Sequence, residues 1–443
     1  MNKEIIESPK GLNIDIIKEI SMLKKEPKWM TAFRIKAYEY FMNQPLPSFG
    51  PKIDLNFDQI TYYKSIDNKI HDSWDTVDTD VKEIFEDLGV IEIENKYLAG
   101  ISTQYESEVI YHNMLNELKE KNIIFVDIDT ALKKYPALFK KYFNKLVDVN
   151  ENKFTALNGA VWSGGSFIYI PPNTKLDRPL QSYFRINTES MGQFERTIIV
   201  VDDNSELEYI EGCTAPTYSS NSLHAAVVEI FVGKNAKCRY TTIQNWADNV
   251  YNLVTKRAVV DENGLMEWID GNIGSKVTMK YPAVVLKGKG SRGTCITISA
   301  ARTNQDQDTG AKMIHLAPNT KSNIISKSIS SKGGKTTYRG LVNITKQATN
   351  SISNVKCDSL IMDELSKSDA IPKNILANKS SLLEHEATIS RVGEEKLFYL
   401  MSRGLTKEQS IELIVLGFIE AFREKLPIEY SVELNNLLKM NII

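Results

Sequence analysis

The sequence predicts a mainly β protein with helical ends, built around a β-solenoid whose coils stack as a parallel β-helix. Three observations carry that expectation. From Asn158 to about Ser390, a β-rich run, a small-residue turn and a second β-rich run recur about every 30 residues. The copies read SFIYIPPNTKLDRPL, TIIVVDDNSELEYIEG, VVEIFVGKNAKCRYTTI, RAVVDENGLMEWIDG, AVVLKGKGSRGTCITIS, KMIHLAPNTKSNIISKSI and GLVNITKQATNSISNV. Their turns keep register on Asn173, Asn204, Asn235, Asn263, Gly290 and Asn319, residue types that tolerate positive φ. Within each copy apolar residues alternate, as in Ile198 and Val200 or Leu207 and Tyr209. A unit this small cannot bury its own apolar face, so the units must stack on one continuous core and be capped at both ends. A large β-sandwich would also show short strands bounded by turns, but its strands have no reason to share a period.

The chain of 443 residues is 42% hydrophobic and 25% charged, enough for a sizeable core and more than one domain. Its formal net charge of -2 argues against broad nucleic-acid binding, which needs a basic face to displace counterions. The opening MNKEIIESPKGLN lacks the apolar run of a secretory signal, and no window reaches the roughly 18 continuous apolar residues of a membrane span. The expectation is a soluble, cytoplasmic protein with neither a nucleic-acid nor a membrane partner. Cys213, Cys238, Cys295 and Cys357 are scattered singly through the array without CxxC spacing, so they read as thiols rather than a disulfide framework.

Taken in order, residues 1–150 read as an α-rich N-terminal domain. Asn13 or Asp15 can cap IIKEISMLKK, and after Pro27 a second helix, WMTAFRIKAYEYF, runs to Phe41. QPLPSFGP is an extended connector, because its prolines exclude helix and central strand. DTDVKEIFEDLG is a capped helix closed at Gly89, followed by a strand-like VIEIEN. SEVIYHNMLNELKEKNI and DIDTALKKYPALFKKYF give two more helices, broken near Pro136. This domain would also cover the first open coil of the solenoid, which spans 151–395. Residues 396–443 form a helical C-terminal domain. There Thr406 and Gln409 match a capping box, and Ile411, Ile414, Val415, Phe418, Ile419 and Phe422 make one apolar stripe. Pro427 stops that helix before a second amphipathic segment, SVELNNLLKM. The pair either folds back on the solenoid or docks a partner protein.

Few motifs carry chemistry. SSKGGKTTYRG fails as a phosphate loop, because the spacing to Gly334, Lys335 and Thr336 needs a glycine where Ile329 stands. No two histidines have zinc-ligand spacing. LLEHEATIS is different: on a strand, Glu384 and Glu386 share one face while His385 points to the other. A solvated charged face is the plain reading of that peptide. Cys357 precedes His385 by about one solenoid period, so stacking sets their rungs side by side. Thiolate, imidazole and carboxylate together suit a soft metal such as iron in an iron–sulfur unit.

The segments EPKWMTAFRIKAYEYF, QYESEVIYHNM, SGGSFIYIPPNTKLDRPLQSYFRINTESMGQFERTIIV, YIEGCTAPTY, TIQNWADNVYNLVTKRA and LEHEATISRVGEEKLFYLMSRGL resemble the SufB/SufD family of iron–sulfur cluster assembly proteins, over nearly the whole chain. The resemblance implies a right-handed parallel β-helix that is a scaffold and not itself an enzyme. On it a transient iron–sulfur cluster is built from iron and persulfide sulfur. It implies three partners: the ATPase SufC on the C-terminal helices, SufD or a second copy of the chain on the β-helix, and a cysteine desulfurase as sulfur source. Cys357 matches the cluster or sulfur-accepting cysteine, with His385, Glu386 and Glu384 beside it as assisting or metal-binding groups. Cys213 matches the point where sulfur enters, and Arg185, Asn187, Gln244, Trp246 and Lys256 match a sulfur path along the interior. A cation such as Lys256 would stabilise a thiolate carrier, and this requires Lys256 to point inward. The resemblance also leaves room for reduced flavin in the complex, although no flavin motif is visible. A plastid stroma replaces the cytoplasm if the source carries plastids. Unlike many members, this chain has no N-terminal cysteine cluster, and DELSKSDAIPKNI holds no Cys or His, so ligation by those groups is excluded. Two rivals are a SufD-like structural partner without ligand chemistry and a β-helix polysaccharide enzyme; the latter lacks an obvious cluster of aspartates.

Overall fold

A computed structural model describes residues 5–66, 69–426, 430–431, 434–435 and 437–439. The helix Ile14–Leu23 starts where Asn13 Oδ1 accepts from the amides of Asp15 and Ile16, so of the two expected caps Asn13 is the one used. Lys28–Asn43 follows and packs beside a buried helix, Lys153–Val161. Arg34 locks the two together. It donates to the carbonyls of Ala160 and Trp162 and pairs with Glu26 at 2.6 Å, with both side chains fully buried.

Two expectations about the N-terminal region are corrected. VIEIEN is helical, Val90–Tyr97, entered through Gly89 at φ 71°. So short an apolar run satisfies both periods, and packing of Val90, Ile91 and Ile93 against Phe85 and Leu98 selects the helix. SEVIYHNM is a strand, Glu108–Met114, antiparallel to Gly100–Tyr105, and only Asn116–Glu120 is helical. The β-branched and aromatic residues Val109, Ile110 and Tyr111 favour that hairpin, and Gly100–Tyr105 also pairs parallel with Leu180–Arg185. The N-terminal region therefore caps the first coil with strands as well as helices. Ile128–Lys134 and Pro136–Tyr142 break at Pro136 as expected.

The solenoid has about 8 turns. On one side Leu180–Arg185, Glu206–Thr214, Lys237–Trp246, Leu265–Gly274, Arg292–Ala301, Lys321–Ser330, Ile352–Ile361 and Leu382–Arg391 pair in parallel, each with the next. A second sheet faces it through strands such as Arg196–Val201, Val227–Val232 and Val250–Val260. Asn173, Asn204, Asn235, Asn263 and Asn319 all take φ between 52° and 60° at the turns. Their side chains form a ladder, Asn204 Nδ2 donating to Asn173 Oδ1 at 3.0 Å and Asn235 Nδ2 to Asn204 Oδ1 at 3.1 Å.

Where helices cover the outside, as over the early coils and beneath the C-terminal helices, both faces of the coil wall are buried. Ile199, Val201, Leu207 and Tyr209 point into the interior, whereas Ile198 and Val200 pack outward against Phe139 and Trp162. On the other side the outward row Ile210, Ile269, Ile296 and Ile298 is covered by Val415, Ile419 and Phe422. The C-terminal helices thus fold back on the solenoid. Lys407–Phe418 carries the expected capping box, and the run breaks at Ile419 before Glu420–Arg423. The expected stop at Pro427 lies outside the described residues, as do parts of SVELNNLLKM, whose Leu434, Leu437 and Leu438 join the same cluster. The last two strands, Lys367–Leu376 and Leu382–Arg391, are largely exposed. No helix among the described residues is long and apolar enough to cross a membrane.

Candidate functional site

The strand register converts sequence positions into columns. On the inner face of the first sheet, Tyr209, Tyr240, Trp268, Cys295, Ile324 and Val355 stack in one column that ends on His385. The adjacent inward column is Glu211, Thr242, Asp270, Thr297, Ser326 and Cys357. The third is Cys213, Gln244, Asn272, Ser299, Ser328 and Ser359. Every member of the second and third columns is buried. A polar stripe therefore runs inside an otherwise apolar core, with Cys213 at one end and Cys357 at the other. Five strand-to-strand steps of about 4.8 Å separate their rungs, which places the thiols on the order of 24 Å apart along the axis.

At the Cys357 end, Sγ lies 3.7 Å from His385 Nε2. His385 is in register with Val355, so the contact is diagonal between adjacent rungs on the inner face. Asn374 Nδ2 sits 3.1 Å from His385 Nδ1, and the Tyr338 ring stands edge-on to the imidazole at 6.5 Å. Burial pushes the Cys357 thiol up to about 12, against a smaller opposing effect of Tyr338. Burial also pulls His385 below its ordinary value. Glu384 and Glu386 point outward, as alternation requires, and Glu386 lies 3.6 Å from Lys356 Nζ. The structure thus brings Cys357 and His385 together and leaves Glu384 and Glu386 on the other face. Among the described residues no three His, Cys, Asp or Glu side chains converge as a metal site.

At the other end Cys213, Phe184, Met191 and Trp246 form a small cluster, with the Trp246 ring 4.7 Å from that of His224. Gln244 Nε2 lies 3.9 Å from Cys213 Sγ. Burial pushes the Cys213 thiol well up, and Glu211 and Glu195 add to the effect more than Lys256 and Lys280 relieve it. Lys256 does point inward, with its side chain fully buried. It is nonetheless engaged by carboxylates, at 3.3 Å from Glu211 and 3.8 Å from Asp270, and it donates to Thr242 Oγ1 at 2.8 Å. Burial alone would lower its pKa, but those carboxylates hold it above the ordinary lysine value. Lys256 thus faces Glu211 and Asp270 at close range and lowers the Cys213 thiol only in part, because burial, Glu211 and Glu195 outweigh it. Arg185 and Asn187 lie on the preceding rung, where Arg185 donates to Thr214 Oγ1 at 3.0 Å and to Asn187 Oδ1 at 3.3 Å.

Reasoning from the sequence missed Glu211, Asp270 and Lys280, which belong to the same buried group. Lys280 Nζ is 3.1 Å from Asp270 Oδ2 and 2.9 Å from Gln244 Oε1. Two lysines and two carboxylates thus face one another in a buried interior, the arrangement that makes buried charge tolerable. The signal was present: stacking the copies residue by residue puts Asp270 in the Cys357 column.

The chain has relatives over nearly its whole length. Residues 184–418 match the family model described as SUF system FeS cluster assembly, SufBD core domain. Residues 17–182 match the SufBD protein N-terminal region. The chain is 57% identical over 439 residues to the iron-sulfur cluster assembly protein SufB of Bacillus subtilis (strain 168), covering 99% of this chain and 94% of that one. The same identity and coverage hold for iron-sulfur cluster assembly SufBD family proteins of Staphylococcus haemolyticus (strain JCSC1435) and Staphylococcus aureus (strain MRSA252).

Proposed function

The chain belongs to the SufB/SufD family of iron–sulfur cluster assembly proteins, and from that premise we propose that it is the scaffold on which a nascent cluster forms at Cys357 and His385. The observation that carries the reading is the inner polar stripe that ends on the Cys357–His385 pair beside an open last coil. Thiolate and imidazole are donors suited to iron, and one open end leaves room for ligands from another chain. In this reading the Cys213 thiolate attacks a donor persulfide, taking its outer sulfur as a Cys213 persulfide while the donor leaves as a thiolate. The polar stripe of Gln244, Lys256 and Asp270 leads from there toward Cys357, with Arg185, Asn187 and Trp246 shaping its start. Glu384 and Glu386, on the outer face, attract iron toward the same rung. The exposed strands at 367–391 receive SufD or a second copy, and the C-terminal helices at 396–443 receive SufC. ATP hydrolysis then belongs to SufC, and this chain turns over nothing itself. The segments 1–150, 151–395 and 396–443 act as cap, scaffold and docking region in the cytoplasm.

The test is anaerobic reconstitution of the full chain with iron and sulfide, followed by visible absorption and Mössbauer spectroscopy. Cys357→Ser is expected to lose the cluster signal while circular dichroism shows an intact fold. An unchanged cluster in that variant would place the ligands elsewhere.

A further inference from the structure

We infer that Lys280, Asn252, His224 and Glu195 are positioning residues that lock the Gln244 side-chain amide with its N–H groups toward the Cys213 sulfur. The inference rests on the proposed role of Cys213 only for its consequence, not for its geometry. Two donors converge on one oxygen: Lys280 Nζ reaches Gln244 Oε1 at 2.9 Å and Asn252 Nδ2 reaches it at 2.8 Å. Burial lowers the Lys280 pKa, but the Asp270 carboxylate 3.1 Å away opposes that shift, and Nζ donates to Gln244 Oε1. The Gln244 atom facing it must therefore be the oxygen, and the amide nitrogen is left facing Cys213 Sγ at 3.9 Å.

The same logic propagates outward. Because Gln244 Oε1 only accepts, Asn252 must present its nitrogen there and its oxygen to His224. His224 Nδ1 lies 2.7 Å from Asn252 Oδ1 and so must carry a proton, while Nε2 contacts Glu195 Oε1. Glu195, His224, Asn252, Gln244 and Lys280 are each no more than 1% exposed, so bulk solvent does not reach these bonds. A contact of 3.9 Å is long for a neutral thiol. It tightens when the sulfur bears negative charge, as a donor aimed at a reacting atom does once charge develops. The network thus adds a directed donor at Cys213 to the partial relief that Lys256 and Lys280 give.

The first test reads the network in the wild-type chain. Long-range nitrogen–proton NMR of the full chain, with His224 assigned through His224→Gln, should show Nδ1 protonated. An unprotonated Nδ1 overturns the inference. The second test measures how fast the Cys213 thiolate takes one terminal sulfur from inorganic polysulfide, whose S–S bond breaks and which leaves one sulfur shorter, read by mass spectrometry of the Cys213 peptide. Asn252→Asp, which keeps shape but loses the donor, and Lys280→Met should each slow that gain about ten-fold, the effect of one lost buried hydrogen bond. Wild-type rates in folded variants, with unchanged circular dichroism, overturn the positioning role. If wild-type Cys213 takes no sulfur at all, the sulfur-accepting reading falls, while the His224 tautomer still decides the network.

Discussion

Cys357 rests as a thiol, because burial pushes it up to about 12 and Asp358 adds to the shift. Iron binding must therefore release a proton, and the metal itself supplies the charge that makes this favourable. His315 shows the same physics in a structural role. It is fully buried, Nδ1 lies 2.8 Å from Thr320 Oγ1 and Nε2 lies 2.9 Å from Ser322 Oγ, and burial lowers it to about 4. Its folded value lies below the unfolded value of about 6.5, so the unfolded chain binds the extra proton first. Stability from this site is complete above the unfolded value and is lost as pH falls through 6.5 toward 4, by ~2–3 kcal/mol. Thermal melts between neutral and mildly acidic pH should show that loss in the wild type, and the His315→Gln variant should show a flatter dependence over the same window.

At the scale of elements, the turns and the returning C-terminal helix account for most of the order. Asn235 sits at φ 52° and links the ladder to Asn204 and Asn263. Asn235→Ala keeps the strain of the left-handed conformation without the side-chain bond and should cost about 1–2 kcal/mol, whereas Asn235→Gly should lose less. Denaturant midpoints for the two variants check the order. Phe422 is fully buried on the outer row of isoleucines, with its ring 3.3 Å from the position a Cβ would take at Gly271. Phe422→Ala leaves a cavity there and should cost about 3–5 kcal/mol. Because that contact ties the C-terminal helix to the coil wall, limited proteolysis should cut the variant after residue 400 well before the solenoid.

The whole molecule is asymmetric from end to end. Its first coil is closed by the Gly100–Tyr105 strand and by buried helices, while its last coil presents Lys367–Leu376 and Leu382–Arg391 with Ile371 44% and Ile389 51% exposed. Open parallel edges with apolar side chains recruit further strands. The isolated chain should therefore self-associate through this end. Light scattering should report a dimer or larger species that Ile371→Lys together with Ile389→Lys shifts to monomer. An unchanged mass would show that the open end is not the contact. The helix Glu394–Ser402 adds Phe398 and Tyr399 to the exposed apolar surface next to that coil, which suits a second protein contact.

The solenoid, its Asn turns, the lone thiols and the capping box at Thr406 were legible in the sequence because each depends on local chemistry: a repeat period, a φ preference, an i to i+3 hydrogen bond. The proximity of Cys357 to His385 was legible too, since it needs only the repeat length. Where local signals were short, tertiary packing decided, turning VIEIEN into helix and SEVIYHNM into strand. The inner columns were harder to read because the repeat is not constant: Glu206 pairs with Lys237, 31 residues on, and Lys237 with Leu265, 28 on. A slip of one residue would turn every side chain to the other face. The charge balance of Lys256, Lys280, Glu211 and Asp270 lay furthest from the sequence, because it depends on two sheets facing each other across the interior. A buried charge is allowed only where another strand supplies its partner, and only the folded coil determines which strand that is.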